Sequence, residues 1–210
     1  GLYTNLFVSY EQVEKIISDP RIKGVALTGS MDAEKSVAAI AGKYLKKNTM
    51  ELGGSDAFIV LADADLEKTV EWALWAKMNN AGQCCVAAKR FIVVEEIADA
   101  FLRLFRTGMQ KLIAGDPMDS KTTLAPLSSE AALLKILEQV KSAEAQGAKI
   151  LIGGKRIDRP GYFMQPTILT DIKKENPAYI DEFFGPVALF FRVKDADEAV
   201  AIANDSEFGL

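Results

Sequence analysis

Histidine is absent from the 210 residues of this chain. Without it no Cys–His or Ser–His catalytic pair can form within the chain, and zinc or iron sites lose their commonest nitrogen donor. Cysteine is scarce as well: there are two, Cys84 and Cys85, side by side. Two cysteines make no disulfide framework, and a bridge between neighbours needs strained geometry. Both therefore read as thiols in a reducing, cytoplasmic setting. Basic clusters are missing: 25 Lys and Arg lie interspersed with 29 Asp and Glu for a net charge of −4, so the footprint expected of a nucleic-acid binder is not there. No apolar run approaches the roughly 20 residues of a membrane-spanning helix, and no signal-peptide pattern opens the chain. What is present is a balance of 49% apolar and 26% charged residues, that of a soluble globular protein with a sizeable core.

Strand and helix patterns alternate, which predicts α/β architecture. Ser9 with Gln12 forms a capping-box signature, and Val13, Ile16 and Ile17 give one helical face that ends near Pro20. A short strand, Gly24 to Leu27, runs through Thr28-Gly29-Ser30 into a helix with Val37, Ile40 and Ala41 inward. Strands are expected at Asn48 to Leu52 and Ala57 to Leu61. A helix capped by Asp65 then breaks at Asn79-Asn80-Ala81-Gly82, directly ahead of the cysteines. Further on, Arg90 to Val94, Lys149 to Ile152 and Val187 to Val193 read as strands. Ile97 to Leu112, Ser129 to Ala145 and Glu198 to Ala203 read as helices. The near-continuous apolar character of Val187 to Val193 is that of a strand inside a parallel sheet.

Taken singly, the chemical candidates are modest. A cysteine after a helix break is more often a buried structural thiol than a nucleophile. A Glu between apolar residues, as in Met50-Glu51-Leu52-Gly53-Gly54, is either a partly buried acid able to act as a general base or an edge charge.

Together they say more. Leu27-Thr28-Gly29-Ser30, Met50-Glu51-Leu52-Gly53-Gly54, Gly82-Gln83-Cys84-Cys85 and Glu182-Phe183-Phe184-Gly185-Pro186 occur in the order found in the aldehyde dehydrogenase superfamily. Glu51 and Cys85 stand 34 residues apart, and Cys85 and Glu182 stand 97 apart, as that resemblance requires. The likeness covers essentially the whole chain. The runs Ala87 to Val93 and Pro126 to Glu130 most resemble succinate-semialdehyde dehydrogenases. The resemblance implies that Cys85 is the nucleophile, with Cys84 at a variable position as a small filler, and that Glu51 is the general base. It implies cofactor contacts for NAD or NADP from Thr28, Gly29 and Ser30 near the pyrophosphate and from Leu52 beside the nicotinamide. It assigns Glu182 to the nicotinamide ribose and Phe184 to the ring packed against it. A backbone N–H near Cys85 would stabilise the oxyanion.

The same resemblance implies a division into residues 1–52, the C-terminal part of a Rossmann-like NAD(P)-binding domain, and 53–210, a nucleophile-bearing catalytic domain cut short at its C-terminal end. The site would lie in the cleft between them, and the full-length enzyme would form homodimers or homotetramers acting on a small-molecule aldehyde. Met78, Ser55 and Ala125 depart mildly from the family's usual residues. Both ends read as interior to a longer protein: a Pro-Trp-Asn segment and an adenosine-binding Lys are expected before residue 1, and the oligomerisation strands after residue 210. The 210-residue piece alone is expected to be inactive. A CoA-acylating semialdehyde dehydrogenase is disfavoured because such relatives lack a Glu at position 51. A non-catalytic structural relative is disfavoured because nucleophile and base are both present. Lys89 and Arg90, just after the nucleophile, read as solvated or structural charges rather than as a grip on a substrate carboxylate.

Overall fold

The computed structural model describes residues 1–209, and Leu210, the last residue of the expected catalytic domain, lies outside them. The chain divides into two compact units, Gly1–Gly53 and a second that starts at Gly54.

In the first unit, helix α1 (Tyr10–Ser18) precedes strand β1 (Gly24–Thr28), helix α2 (Met31–Lys43) and strand β2 (Lys47–Glu51). The Ser9 N–H donates to Gln12 Oε1 at 2.8 Å, the side-chain return that the Ser-x-x-Gln spacing allows at a helix start. Strands β1 and β2 pair in parallel with Thr28 opposite Glu51, a β-α-β arrangement. Ile17 and Ala41 are the buried apolar side chains of its helices, and Glu14 of α1 ties to Lys43 and Tyr44 at the end of α2 at 2.7 and 3.0 Å.

The second unit is built on five strands in the order β3-β4-β7-β6-β5. They are β3 (Asp56–Val60), β4 (Ala88–Val94), β5 (Lys149–Ile152), β6 (Thr167–Thr170) and β7 (Val187–Val193), with β5 alone antiparallel. Helices α3 (Leu66–Met78), α4 (Glu95–Gln110), α5 (Glu130–Ala145) and α6 (Ala196–Asn204) cover it. Alternation along the strands sends side chains to two cores. Phe91, Val93, Ala188 and Phe190 join Phe101, Phe105 and Met109 of α4 on one face. Ile92, Val94, Leu189 and Phe191 join Leu133, Ile136 and Val140 of α5 on the other. Helices on both faces explain why β4 is buried at every position, as a central strand must be.

Strand β6 has no counterpart in the sequence reading. Four residues after Pro166 carry too little pattern to announce a strand, and it forms because β5 and β7 flank it. Among the described residues no helix is long and apolar enough to cross a membrane.

Candidate active site

The second unit gathers its chemistry at an unusual place. Ligands of open α/β sheets ordinarily sit beyond the carboxyl ends of the strands. Here Gly54-Ser55, Cys84-Cys85 and Gly185-Pro186 lead into β3, β4 and β7, so they meet at the amino ends of three adjacent parallel strands.

Helix α3 ends at Met78 and the chain turns through Asn79–Gly82. Asn80, Ala81 and Gly82 all take positive φ, at 51°, 54° and 76°. Such a run is costly for residues with a Cβ and persists only where surroundings dictate it. Gln83 supplies part of that restraint. Its Nε2 donates to Asn80 O (3.0 Å) and Pro126 O (3.2 Å), and its Oε1 accepts from the Ser128 N–H (2.8 Å). The glycine is fixed by crowding: a Cβ on Gly82 would run into the Gly185 carbonyl oxygen and lie 2.6 Å from its carbon. The Gly-Gln pair ahead of the cysteines thus clamps a turn against a segment a hundred residues downstream. Gly82→Ala is expected to cost about 2 kcal/mol or more, because the obstacle is backbone and the φ is left-handed. Denaturant unfolding of the variant measures it.

Cys84 and Cys85 are free thiols, both half-buried. Beneath them lies Lys89, with no exposed side-chain surface. Its Nζ donates to the carbonyls of Cys85 (2.7 Å), Cys84 (3.2 Å) and Ala87 (3.3 Å), and stands 3.4 Å from Glu182 Oε1. Glu182 also accepts from the Gly54 N–H at 3.1 Å and keeps 19% of its side-chain surface exposed. Phe183 is wholly buried, while Phe184 beside it is 44% exposed, so Phe184 presents an aromatic face instead of filling the core. Core packing, the default for an isolated phenylalanine, is therefore not its role.

Arg90 is buried too. Its guanidinium donates to Ser55 O, Ile202 O and Ala203 O at 2.7 to 2.9 Å, tying β4 to the start of β3 and the end of α6. Burial pulls it below the usual arginine range. Neither cation is solvated: Arg90 is a structural strut, and Lys89 is bound to the carbonyls of the Cys84-Cys85 turn. Residue type alone could not separate these roles, since the sequence shows two adjacent basic residues at the start of a strand.

Sequence reading also missed Lys77. It lies in the last turn of α3, fully buried, and its Nζ has no hydrogen-bond partner among the described residues. Burial first, then the nearby Lys89 charge, pulls the amine down to about 7, with Glu182 acting in the opposite direction. Its position was visible only as one polar residue among the apolar ones of an amphipathic helix.

The first unit brings a separate set together at the carboxyl ends of its strands. Thr28 closes β1 and Glu51 closes β2, and the Gly29 N–H donates to Glu51 O at 2.9 Å. Ser30 caps α2, its hydroxyl accepting from the Ala33 N–H at 3.4 Å. Glu51 is exposed and Leu52 half-buried, so the partly buried form of that acid is not the one seen in this chain. A Cβ on Gly29 would make only ordinary contacts, 3.7 to 3.8 Å, with Leu27 and Ala33. The glycine is not demanded by packing within the chain. It leaves room above a turn whose N–H groups stand at a helix start, the geometry that suits a phosphate. An exposed Phe184 beside a partly exposed Glu182 likewise suits a ribose and a flat ring. The residues present fit a dinucleotide.

Residues 5–210 match the Aldehyde dehydrogenase family. Over all 210 residues the chain is 48% identical to a succinate-semialdehyde dehydrogenase [NADP(+)] of Deinococcus radiodurans, covering 44% of that protein. It is 49% identical to succinate-semialdehyde dehydrogenase [NADP(+)] 1 of Mycobacterium tuberculosis, covering 46%. Among solved structures, the succinic semialdehyde dehydrogenase of Streptococcus pyogenes in complex with NADP+ superposes with a TM-score of 0.94 at 48% identity, over 98% of this chain and 45% of that one. The chain thus spans less than half the length of the curated relatives it matches.

Proposed function

This chain belongs to the aldehyde dehydrogenase family, and from that premise we propose that it carries the nucleophile and general base of an NADP-dependent succinate-semialdehyde dehydrogenase. Residues 1–52 are the end of the cofactor domain in this reading, and 53–210 most of the catalytic domain. One observation carries it: the whole chain aligns at 48% identity with an enzyme named for that substrate and cofactor.

The thiolate of Cys85 attacks the aldehyde carbon, an S–C bond forms, and the carbonyl electron pair moves to oxygen. The Cys85 N–H donates to that oxyanion. The chemistry of accepting the hydride would be supplied by a bound nicotinamide, and Cys85 would then carry the acyl group as a thioester. Glu51 then takes a proton from water, the hydroxide adds to the thioester, and collapse releases the carboxylic acid and the thiol. No step needs histidine, which suits a chain that has none. Glu182, Phe184, Leu52 and the Thr28-Gly29-Ser30 turn hold the dinucleotide.

Hydrolysis is favoured over transfer to CoA because Glu51 is present, and catalysis over a purely structural role because Cys85 and Glu51 are both kept. The 210-residue chain alone is inactive in this reading, and the full-length protein is a cytoplasmic homodimer or homotetramer. Lys89 and Arg90 are both engaged inside the fold, so neither holds the substrate's distal carboxylate. The test is a substrate panel on the full-length protein. Succinate semialdehyde with NADP should exceed an uncharged aldehyde of equal length in kcat/KM by about 100-fold, with free succinate as product even when CoA is supplied. Equal rates for the two aldehydes would overturn the substrate, and acyl-CoA would overturn the hydrolytic route.

A further inference from the structure

A backbone N–H is a useful oxyanion donor only if something holds its peptide plane. The peptide that ends in the Cys85 N–H begins with the Cys84 carbonyl, and in a trans peptide the two point in opposite directions. That carbonyl accepts twice, from Lys89 Nζ and from the Ala87 N–H, both at 3.2 Å. The next peptide is held the same way, the Cys85 carbonyl accepting from Lys89 Nζ at 2.7 Å. Among the described residues neither the Cys85 nor the Val86 N–H donates to any protein acceptor. Both carbonyls are therefore drawn inward to one buried ammonium while both N–H groups are turned the other way.

We propose that Lys89 is a positioning residue for the oxyanion donor, its ammonium turning and polarising the Cys84–Cys85 peptide so that the Cys85 N–H is presented to substrate. The proposal rests on the reading of Cys85 as nucleophile. Lys89 itself touches no reacting atom. An ammonium has three protons, and here they are directed at the carbonyls of Cys84, Cys85 and Ala87. Glu182 Oε1, at 3.4 Å, balances the charge and keeps the buried cation tolerable. A cation on the carbonyl oxygen withdraws electron density from the amide, which strengthens the N–H as a donor, and the low-dielectric surroundings amplify the effect. Arginine would not substitute simply, because its planar fork does not reproduce a point charge converging on three carbonyls.

Two reactions of Cys85 separate this role from a structural one, and neither needs cofactor. Acylation by 4-nitrophenyl acetate passes through an oxyanion on the attacked carbon, whereas alkylation by iodoacetamide does not. In full-length protein carrying Cys84→Ala, so that one thiol reports, Lys89→Met should slow acylation and the aldehyde kcat by roughly 10- to 100-fold. Alkylation should change less than threefold, and KM for the aldehyde little. Lys89→Gln, which keeps two neutral donors, should give a smaller loss in the same direction, and it decides the matter if the methionine variant does not fold. Parallel loss of acylation and alkylation would mean that Lys89 merely holds the turn, and no loss of either that it does nothing for the N–H; both outcomes overturn the proposal. If Cys85→Ala retained both reactions, the nucleophile assignment would fall instead, independently of Lys89.

Discussion

Cys85→Ala in the full-length protein is expected to abolish aldehyde oxidation, with kcat falling by roughly 10⁴-fold or more. The loss should be this large because in the proposed mechanism the side chain forms the covalent bond on which every later step acts, and the chain holds no histidine to replace it. Cys84 stands at the variable position of the proposed motif, where a small filler suffices. Cys84→Ala should accordingly keep most of the activity. Glu51→Gln divides the reaction at a different point. Its first half needs no base on the water, so one equivalent of NADPH per site should appear in a burst. Turnover should then stall, with the acyl mass retained on Cys85. Steady-state rates, rapid-mixing absorbance and mass spectrometry of the trapped protein check the three variants. Full activity in Cys85→Ala, or continued turnover in Glu51→Gln, would refute the role given to that residue.

Lys77→Met should stabilise the protein at pH 7 by about 2 kcal/mol. The ammonium of Lys77 is fully buried at the end of α3 with no acceptor among the described residues, and burial together with Lys89 brings its titration down to about 7 from the ordinary lysine value of 10.5. Between those two values the unfolded chain binds a proton that the folded chain does not, so this residue makes stability rise with pH across that window. Below about 7 both states are protonated and the full cost of burying the charge is present. Above 10.5 both are neutral and the cost vanishes. Methionine, of similar length and apolar, removes the cost without opening a cavity. The difference in unfolding free energy between variant and parent should therefore be largest at and below pH 7 and shrink toward pH 10.5. A variant less stable than the parent, by an amount independent of pH, would show that the amine has a partner worth more than its desolvation.

The turns were legible in the sequence and the buried cations were not. Thr28-Gly29-Ser30 and Gly82-Gln83-Cys84-Cys85 are contiguous, and turn chemistry is written in adjacent residues: a positive φ at Gly82, a hydroxyl cap at Ser30. Lys77, by contrast, is a polar residue at the buried end of a helix whose other polar residues face solvent. Nothing within one turn of helix distinguishes it.

From the sequence alone came the alternation of strand and helix and the break after Met78, which depend on periodicity, capping and short spacing and act over a few residues. The order of the four motifs and the register that separates Cys85 from Cys84 came from the resemblance to the aldehyde dehydrogenase superfamily. Tertiary structure decided the rest. It inserted β6 between two stronger strands and placed Cys85 at the amino end of β4 beside the Glu182 segment that enters β7. It packed Gly82 against Gly185 and turned Phe184 outward while Phe183 went in. It also split the neighbours Lys89 and Arg90 into a support for the Cys84-Cys85 turn and a strut between elements. Each of these joins residues far apart in the chain, and which of them meet is set by strand order and by the competition among buried groups for the few acceptors available to them.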